Sequence, residues 1–193
     1  MAKDFIQFMH RLNLPNKITI IRIFLIPLFL VFLISSAKIS PLFAASIFGV
    51  AAFTDWLDGY LARTTKQVTT LGKLLDPIAD KILVTAALIP LVELDRISAW
   101  IAVVIIGREF AVSGLRTVAM SQGIVIAASG WGKYKMVFEI IAIMFLILNY
   151  KILFVNFLLL GTITIWVAMV MSLVSGIEYF IKFWNQFNIK LSQ

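Results

Sequence analysis

The chain contains six aspartates, and four of them fall within 26 residues. The stretch runs Asp55, Asp58, Gly59, Ala62 and Arg63, then, after eight further residues, Gly72, Asp76 and Asp80. At about 100° per residue, Asp55, Asp58, Gly59, Ala62 and Arg63 share one stripe of a helix. Gly72, Asp76 and Asp80 are spaced by four and share a face of the next helix. Four carboxylates brought together repel one another, and some must take up protons unless cations offset them. All-oxygen donors without His or Cys favour Mg²⁺ or Mn²⁺ over zinc. The pattern therefore points to one or two metal ions and to phosphoryl chemistry. Arg63 beside the acids suits a phosphate, although a lone arginine there could also snorkel to the surface. Gly59 and Ala62 permit either a close ligand or a close helix.

A second constellation is basic. Gly107-Arg108-Glu109 and Ser113-Gly114-Leu115-Arg116 lie in one apolar run, and Lys133 and Lys135 follow the next break. An arginine inside a membrane helix costs at least about 2.5–3.5 kcal/mol and calls for a partner. One reading is an ion pair of Arg108 with Glu109 or Glu139. The other is a basic pocket of Arg108, Arg116, Lys133 and Lys135 for an anionic substrate, most simply a phosphate. Glu109 lies about 100° around the helix from Arg108 and cannot easily serve all four cations.

The elements that must position these groups follow from composition. Of the residues 61% are hydrophobic and 14% charged, with a mean hydropathy of +0.99. Soluble domains carry about 25% charged residues, so this chain cannot cover a water-facing surface and reads as an integral membrane protein. There is no cysteine, which excludes disulfides, thiolate zinc and a cysteine nucleophile. The net charge of +7 fits basic loops meeting anionic lipid, not nucleic acid.

Six apolar windows can be counted: 18–37, 41–61, 74–92, 97–120, 131–148 and 152–181. They are continuous, not alternating, so the expected fold is an all-α bundle of six transmembrane helices. Before it, Phe5, Ile6, Phe8, Met9 and Leu12 oppose Lys3, Asp4, Gln7 and Arg11. That spacing predicts a short interfacial amphipathic helix within residues 1–16 and no cleavable signal peptide. His10 belongs to that segment. Trp100, Trp131, Trp166 and Trp184 near the span ends read as interfacial anchors. Basic residues alternate with their near-absence from loop to loop. Both termini and the 64–71 connection are therefore expected on the cytoplasmic side, and Lys38, Asp95 and Lys151 outside. Residues 1–193 read as one domain.

The spacing from Asp55 to Asp80 resembles the signature of the CDP-alcohol phosphotransferase family at all eight of its fixed positions. Flanking segments resemble bacterial members that use sn-glycerol 3-phosphate as acceptor. These are Leu14 to Thr19 with Arg22, Gly107 to Arg116, Gly132-Lys133 with Lys135, and Ser175-Gly176-Ile177-Glu178-Tyr179-Phe180. The resemblance implies a six-helix enzyme of the bacterial cytoplasmic membrane, commonly a homodimer, with its site open to the cytoplasm. It implies transfer of a phosphatidyl group from CDP-diacylglycerol to sn-glycerol 3-phosphate. Asp55, Asp58, Asp76 and Asp80 would hold metal, with Asp80 also the general base. Gly59, Ala62, Arg63 and Gly72 would line the CDP-diacylglycerol site.

Two rivals frame that expectation. Another acceptor such as inositol phosphate would use the same chemistry, and the basic cluster does not exclude it. A divalent-cation channel or transporter would need its aspartates near mid-membrane and leaves Gly59, Arg63 and the basic cluster without a role.

Overall fold

A computed structural model describes residues 14–35, 37–65, 70–124, 130–152 and 155–191. The expected amphipathic helix and His10 lie largely before this range, and residues 1–13 are outside it. The described residues form six helices: α1 (Leu14–Ile34), α2 (Ser40–Thr65), α3 (Thr70–Glu93), α4 (Ala99–Ser121), α5 (Gly130–Leu148) and α6 (Phe157–Leu191). Two two-residue strands, β1 (Lys151–Ile152) and β2 (Val155–Asn156), pair antiparallel between α5 and α6. Each helix overlaps one of the six apolar windows. Among the described residues, two segments, Lys17–Ile34 and Phe157–Phe187, are long and apolar enough to cross a bilayer by length and composition.

The chain divides into two compact units, Met1–Pro90 and Leu91–Gln193. In the first, α1 and α2 pack antiparallel along a seam of regular three- and four-residue spacing. α1 contributes Thr19, Arg22, Ile26, Phe29 and Leu33, and α2 contributes Ala44, Ala45, Phe48, Ala51 and Ala52, all buried. Alanines along α2 let the backbones approach closely. Phe32 stacks on Phe43 at 5.4 Å near one end, and Phe29 meets Phe48 at 5.7 Å further along. The Ser40 hydroxyl closes the tight turn by donating to the Phe32 carbonyl.

In the second unit, α6 buries Gly161, Ile165, Ala168, Ser172, Ser175, Tyr179 and Phe183 on one face. Ala142, Ile143, Leu146 and Ile147 of α5 and Ile101, Ala102, Ile105 and Val112 of α4 are buried too. A Cβ at Gly161 would lie 2.8 Å from Leu146 Cγ, so glycine is what lets α5 and α6 approach there. Asn156 caps α6, its side-chain oxygen accepting from the amides of Leu158 and Leu159. At the end of α4, Gly123 takes φ +69°, and Ile124 N–H returns to Ala119 C=O at 2.8 Å, a left-handed helix stop. Arg96, in the connection between α3 and α4, donates to the Leu146 and Ile147 carbonyls at 2.7 and 2.8 Å. It thus places a cation on the negative end of the α5 dipole, and burial pushes its pKa down from the ordinary arginine value.

The sixth helix differs from its sequence window at both ends. Residues 151–152 and 155–156 make the strand pair, so α6 starts at Phe157 and not near 152. It then runs to Leu191, because nothing after Gly176 breaks a helix. Its 35 residues span about 52 Å, against a hydrocarbon core of about 30 Å. Much of the remaining surface is apolar: Val103 and Met120 are each 69% exposed, and Phe24, Val31 and Phe53 are exposed as well. Outward apolar faces of this extent are stable against lipid, not water. Trp100 meets Trp166 edge-on at 4.9 Å and Trp184 stacks on Phe180. The Trp131 side chain is outside the described residues.

Candidate active site

The unbroken helix α2 carries Asp55, Asp58, Gly59, Ala62 and Arg63, and α3 carries Gly72, Asp76 and Asp80. The helical spacing on which the two stripes rest is therefore present. Only the link 66–69 separates Thr65 from Thr70, which keeps those ends within about 18 Å. Asp55 and Asp80 are each partly buried. The surroundings of Asp58, Gly59, Ala62, Arg63, Gly72 and Asp76 lie outside the described residues. Among the described residues no three acidic or histidine side chains gather into a metal site. The donor types of the acid stripe, carboxylates alone, fit a hard divalent cation.

Asp55 is held by a partner that spacing arguments on α2 and α3 could not supply. Arg22 Nη1 lies 2.5 Å from Asp55 Oδ1, with the arginine side chain 0% and the aspartate 17% exposed. Both come from the α1–α2 seam, where they replace an apolar contact by an ion pair. Thr19, one turn before Arg22, is buried on the same face. The signal was visible in principle: an arginine in the middle of an apolar run needs a partner. What the one-dimensional pattern lacks is the register of α1 against α2.

The basic residues divide. Arg108 donates from Nε to the Ser172 carbonyl at 3.0 Å, from Nη2 to Ser175 Oγ at 2.6 Å, and from Nη1 to Glu109 Oε1 at 2.7 Å. Lys135 is buried and bonds the same Glu109 oxygen, and it also pairs with Glu139 Oε2 at 2.8 Å, one turn along α5. Glu109 thus serves two cations, because long side chains cover the 100° that separates it from Arg108. This is the ion-pair arrangement weighed above for Arg108, extended to two carboxylates and two cations with no net charge. Arg116 stands apart, eight residues or about 12 Å further along α4. Its guanidinium is exposed and lies 5.9 Å from the ring centre of buried Tyr179, a cation–π contact. The Lys133 side chain is outside the described residues.

Two residues quoted above only as part of a C-terminal motif now have a physical task. Ser175 accepts Arg108 and itself donates to the Ser172 carbonyl at 3.0 Å. A Cβ at Gly176 would stand 3.1 Å from Arg108 Cγ, so glycine leaves room for the arginine stem. Spacing along one helix could not have paired them with Arg108, which lies more than 60 residues earlier.

A family model described as CDP-alcohol phosphatidyltransferase matches residues 12–174, from before α1 into the middle of α6. The chain belongs to the CDP-alcohol phosphatidyltransferase family. Among its relatives in that family, a protein of Bacillus subtilis (strain 168) is 46% identical over 186 residues, covering 90% of this chain and 96% of its own length. A protein of Haemophilus influenzae is 37% identical over 175 residues, covering 88% and 92%. One of Pseudomonas fluorescens is 37% identical over 179 residues, covering 90% and 91%. Each of the three is named CDP-diacylglycerol–glycerol-3-phosphate 3-phosphatidyltransferase. The acid stripe, residues 55–80, lies within the matched range.

Proposed function

We propose that this protein transfers the phosphatidyl group of CDP-diacylglycerol to sn-glycerol 3-phosphate, giving phosphatidylglycerophosphate and CMP. The observation that carries this reading is nearly full-length similarity, at up to 46% identity, to relatives with that one name, together with an intact Asp55–Asp80 stripe. Asp55, Asp58, Asp76 and Asp80 hold Mg²⁺ or Mn²⁺, one ion or two. When bound, such an ion offsets the charge of the pyrophosphate and of the departing CMP. Gly59, Ala62, Arg63 and Gly72 line the nucleotide, the small residues giving it access to the backbone and Arg63 meeting a phosphate. Asp80 takes the proton from the glycerol 1-hydroxyl. That oxygen bonds to the diacylglycerol-linked phosphorus, the bond to the CMP oxygen breaks, and CMP leaves. The acyl chains stay in lipid throughout.

Arg108, Arg116, Lys133 and Lys135 form the acceptor site. Because Arg108 and Lys135 are neutralised by Glu109 and Glu139, the net positive charge that draws in a phosphate comes from Arg116 and Lys133. Arg108 and Lys135 fix the wall. The six helices serve as six membrane spans, with both termini and the active site cytoplasmic in a bacterial cell membrane. Apolar outer faces and the alternation of Lys and Arg support that topology. A single family match through residues 12–174 supports one domain, and the family resemblance supports a homodimer.

The test is release of CMP from CDP-diacylglycerol by the purified protein, with and without Mg²⁺, offered glycerol 3-phosphate, inositol phosphate or serine. Release with glycerol 3-phosphate alone is expected. Equal or faster release with inositol phosphate would reassign the acceptor, and no release with any would refute the activity.

A further inference from the structure

An ion pair buried on the α1–α2 seam needs a reason, since an apolar pair of similar volume is usually no less stable there. Apart from Thr19, the rest of the seam is apolar, lined by isoleucine, leucine, phenylalanine and alanine. The carboxylate concerned is not an arbitrary one: Asp55 is the first acid of the stripe. Arg22 is fully buried, so its stem is packed and its guanidinium has little freedom to leave Oδ1, 2.5 Å away. A carboxylate with one oxygen fixed by an immobile guanidinium offers one orientation to a cation. The positive charge itself opposes an incoming cation, so the gain has to come from holding the carboxylate in one orientation.

We infer that Arg22 is a positioning residue for the metal centre, acting through Asp55 to set the geometry and raise the affinity with which the acid stripe takes a divalent cation. The inference rests on the metal-dependent reading above. It concerns a residue outside the eight-position acid stripe, on a different helix, and it assigns Arg22 no contact with either substrate. Metal-ligating groups are commonly oriented by a further hydrogen-bonding shell, whose loss typically lowers metal affinity ten- to a hundredfold.

The experiment uses the full-length protein in detergent micelles without substrate, with Mn²⁺ as the probe, read by the electron paramagnetic resonance signal of the free ion. Wild type, Arg22→Gln, Asp55→Asn and the double variant are titrated, and thermal unfolding of each is recorded. Arg22→Gln is expected to weaken Mn²⁺ binding at least tenfold. In the Asp55→Asn background the same change should have little further effect. With metal raised to saturation, the KM for glycerol 3-phosphate should stay within twofold of wild type. If Arg22→Gln does not fold, Arg22→Lys carries the same cycle. It keeps the charge but not the planar fork, and a threefold or greater loss is expected that vanishes beside Asp55→Asn. A folded Arg22 variant with wild-type Mn²⁺ affinity, or a loss that simply adds to that of Asp55→Asn, overturns the inference while leaving the enzymatic reading intact. Absence of Mn²⁺ binding by wild type overturns both.

Discussion

Arg108 donates from Nη2 to Ser175 Oγ at 2.6 Å, tying α4 to α6 in the middle of an apolar face. The same guanidinium holds the Ser172 carbonyl and Glu109, and through Glu109 it is joined to Lys135 on α5. Three helices are thereby pinned in one register by four mutually neutralising charges. In a low-dielectric setting such a network is worth little against a well-packed apolar core, but losing one member is costly.

The first prediction follows from that asymmetry. Lys135→Met removes the ammonium that bonds both Glu109 and Glu139 and should cost about 3–5 kcal/mol. The double variant Lys135→Met, Glu139→Leu removes one charge of each sign and should recover much of the loss. Unfolding midpoints in detergent check the order: wild type, double variant, then single variant.

Gly176 sets the clearance for Arg108. Gly176→Ala brings a Cβ to 3.1 Å from the flexible arginine stem, which can yield by a few tenths of an ångström, so the effect should be small. Gly176→Leu cannot be accommodated without moving Arg108 off Ser175, and should destabilise by about 1–3 kcal/mol. Thermal unfolding of the two variants, side by side, measures the difference.

On the acid stripe, Asp58→Asn, Asp76→Asn and Asp80→Asn should each lower Mg²⁺-dependent CMP release by about a hundredfold or more. Asp80→Asn should still bind CDP-diacylglycerol, since it loses the base and keeps most of the metal donors. Substrate co-sedimentation with proteoliposomes, beside turnover, separates binding from chemistry.

Acceptor and nucleotide should part company in the arginines. Arg116→Ala removes the exposed guanidinium above Tyr179, and one charge-assisted contact is worth about 1.5–3 kcal/mol. Its KM for glycerol 3-phosphate should therefore rise about ten- to a hundredfold, with the KM for CDP-diacylglycerol little changed. Arg63→Ala should show the reverse bias. Wild-type acceptor KM in Arg116→Ala would move the phosphate elsewhere.

Topology can be read without background labelling, because the chain has no cysteine. Cysteines placed at Lys38, Asp95 and Lys151 should react with an impermeant maleimide added outside intact cells, and cysteines in 66–69 only after the membrane is opened. Reaction of Lys38→Cys solely from the inner side reverses the orientation.

Composition and periodicity alone determined the helical class, the six apolar segments and the two stripes of acids, because these depend only on local hydropathy and on the 3.6-residue turn. The family could be read from spacing for the same reason, since its signature lies within one helix, a short link and the next helix. Helix ends were less legible. The start of α6 is set by a strand pair and an Asn156 cap, and its length by the lack of any breaker after Gly176. Partner choice was legible only locally, where Glu109 could be named beforehand for Arg108. That Asp55 meets Arg22, and that Arg108 meets Ser175 more than 60 residues away, depends on the register of packed helices. A buried arginine announces in one dimension that it must have a partner, but only tertiary packing decides which oxygen lies within 3 Å of it.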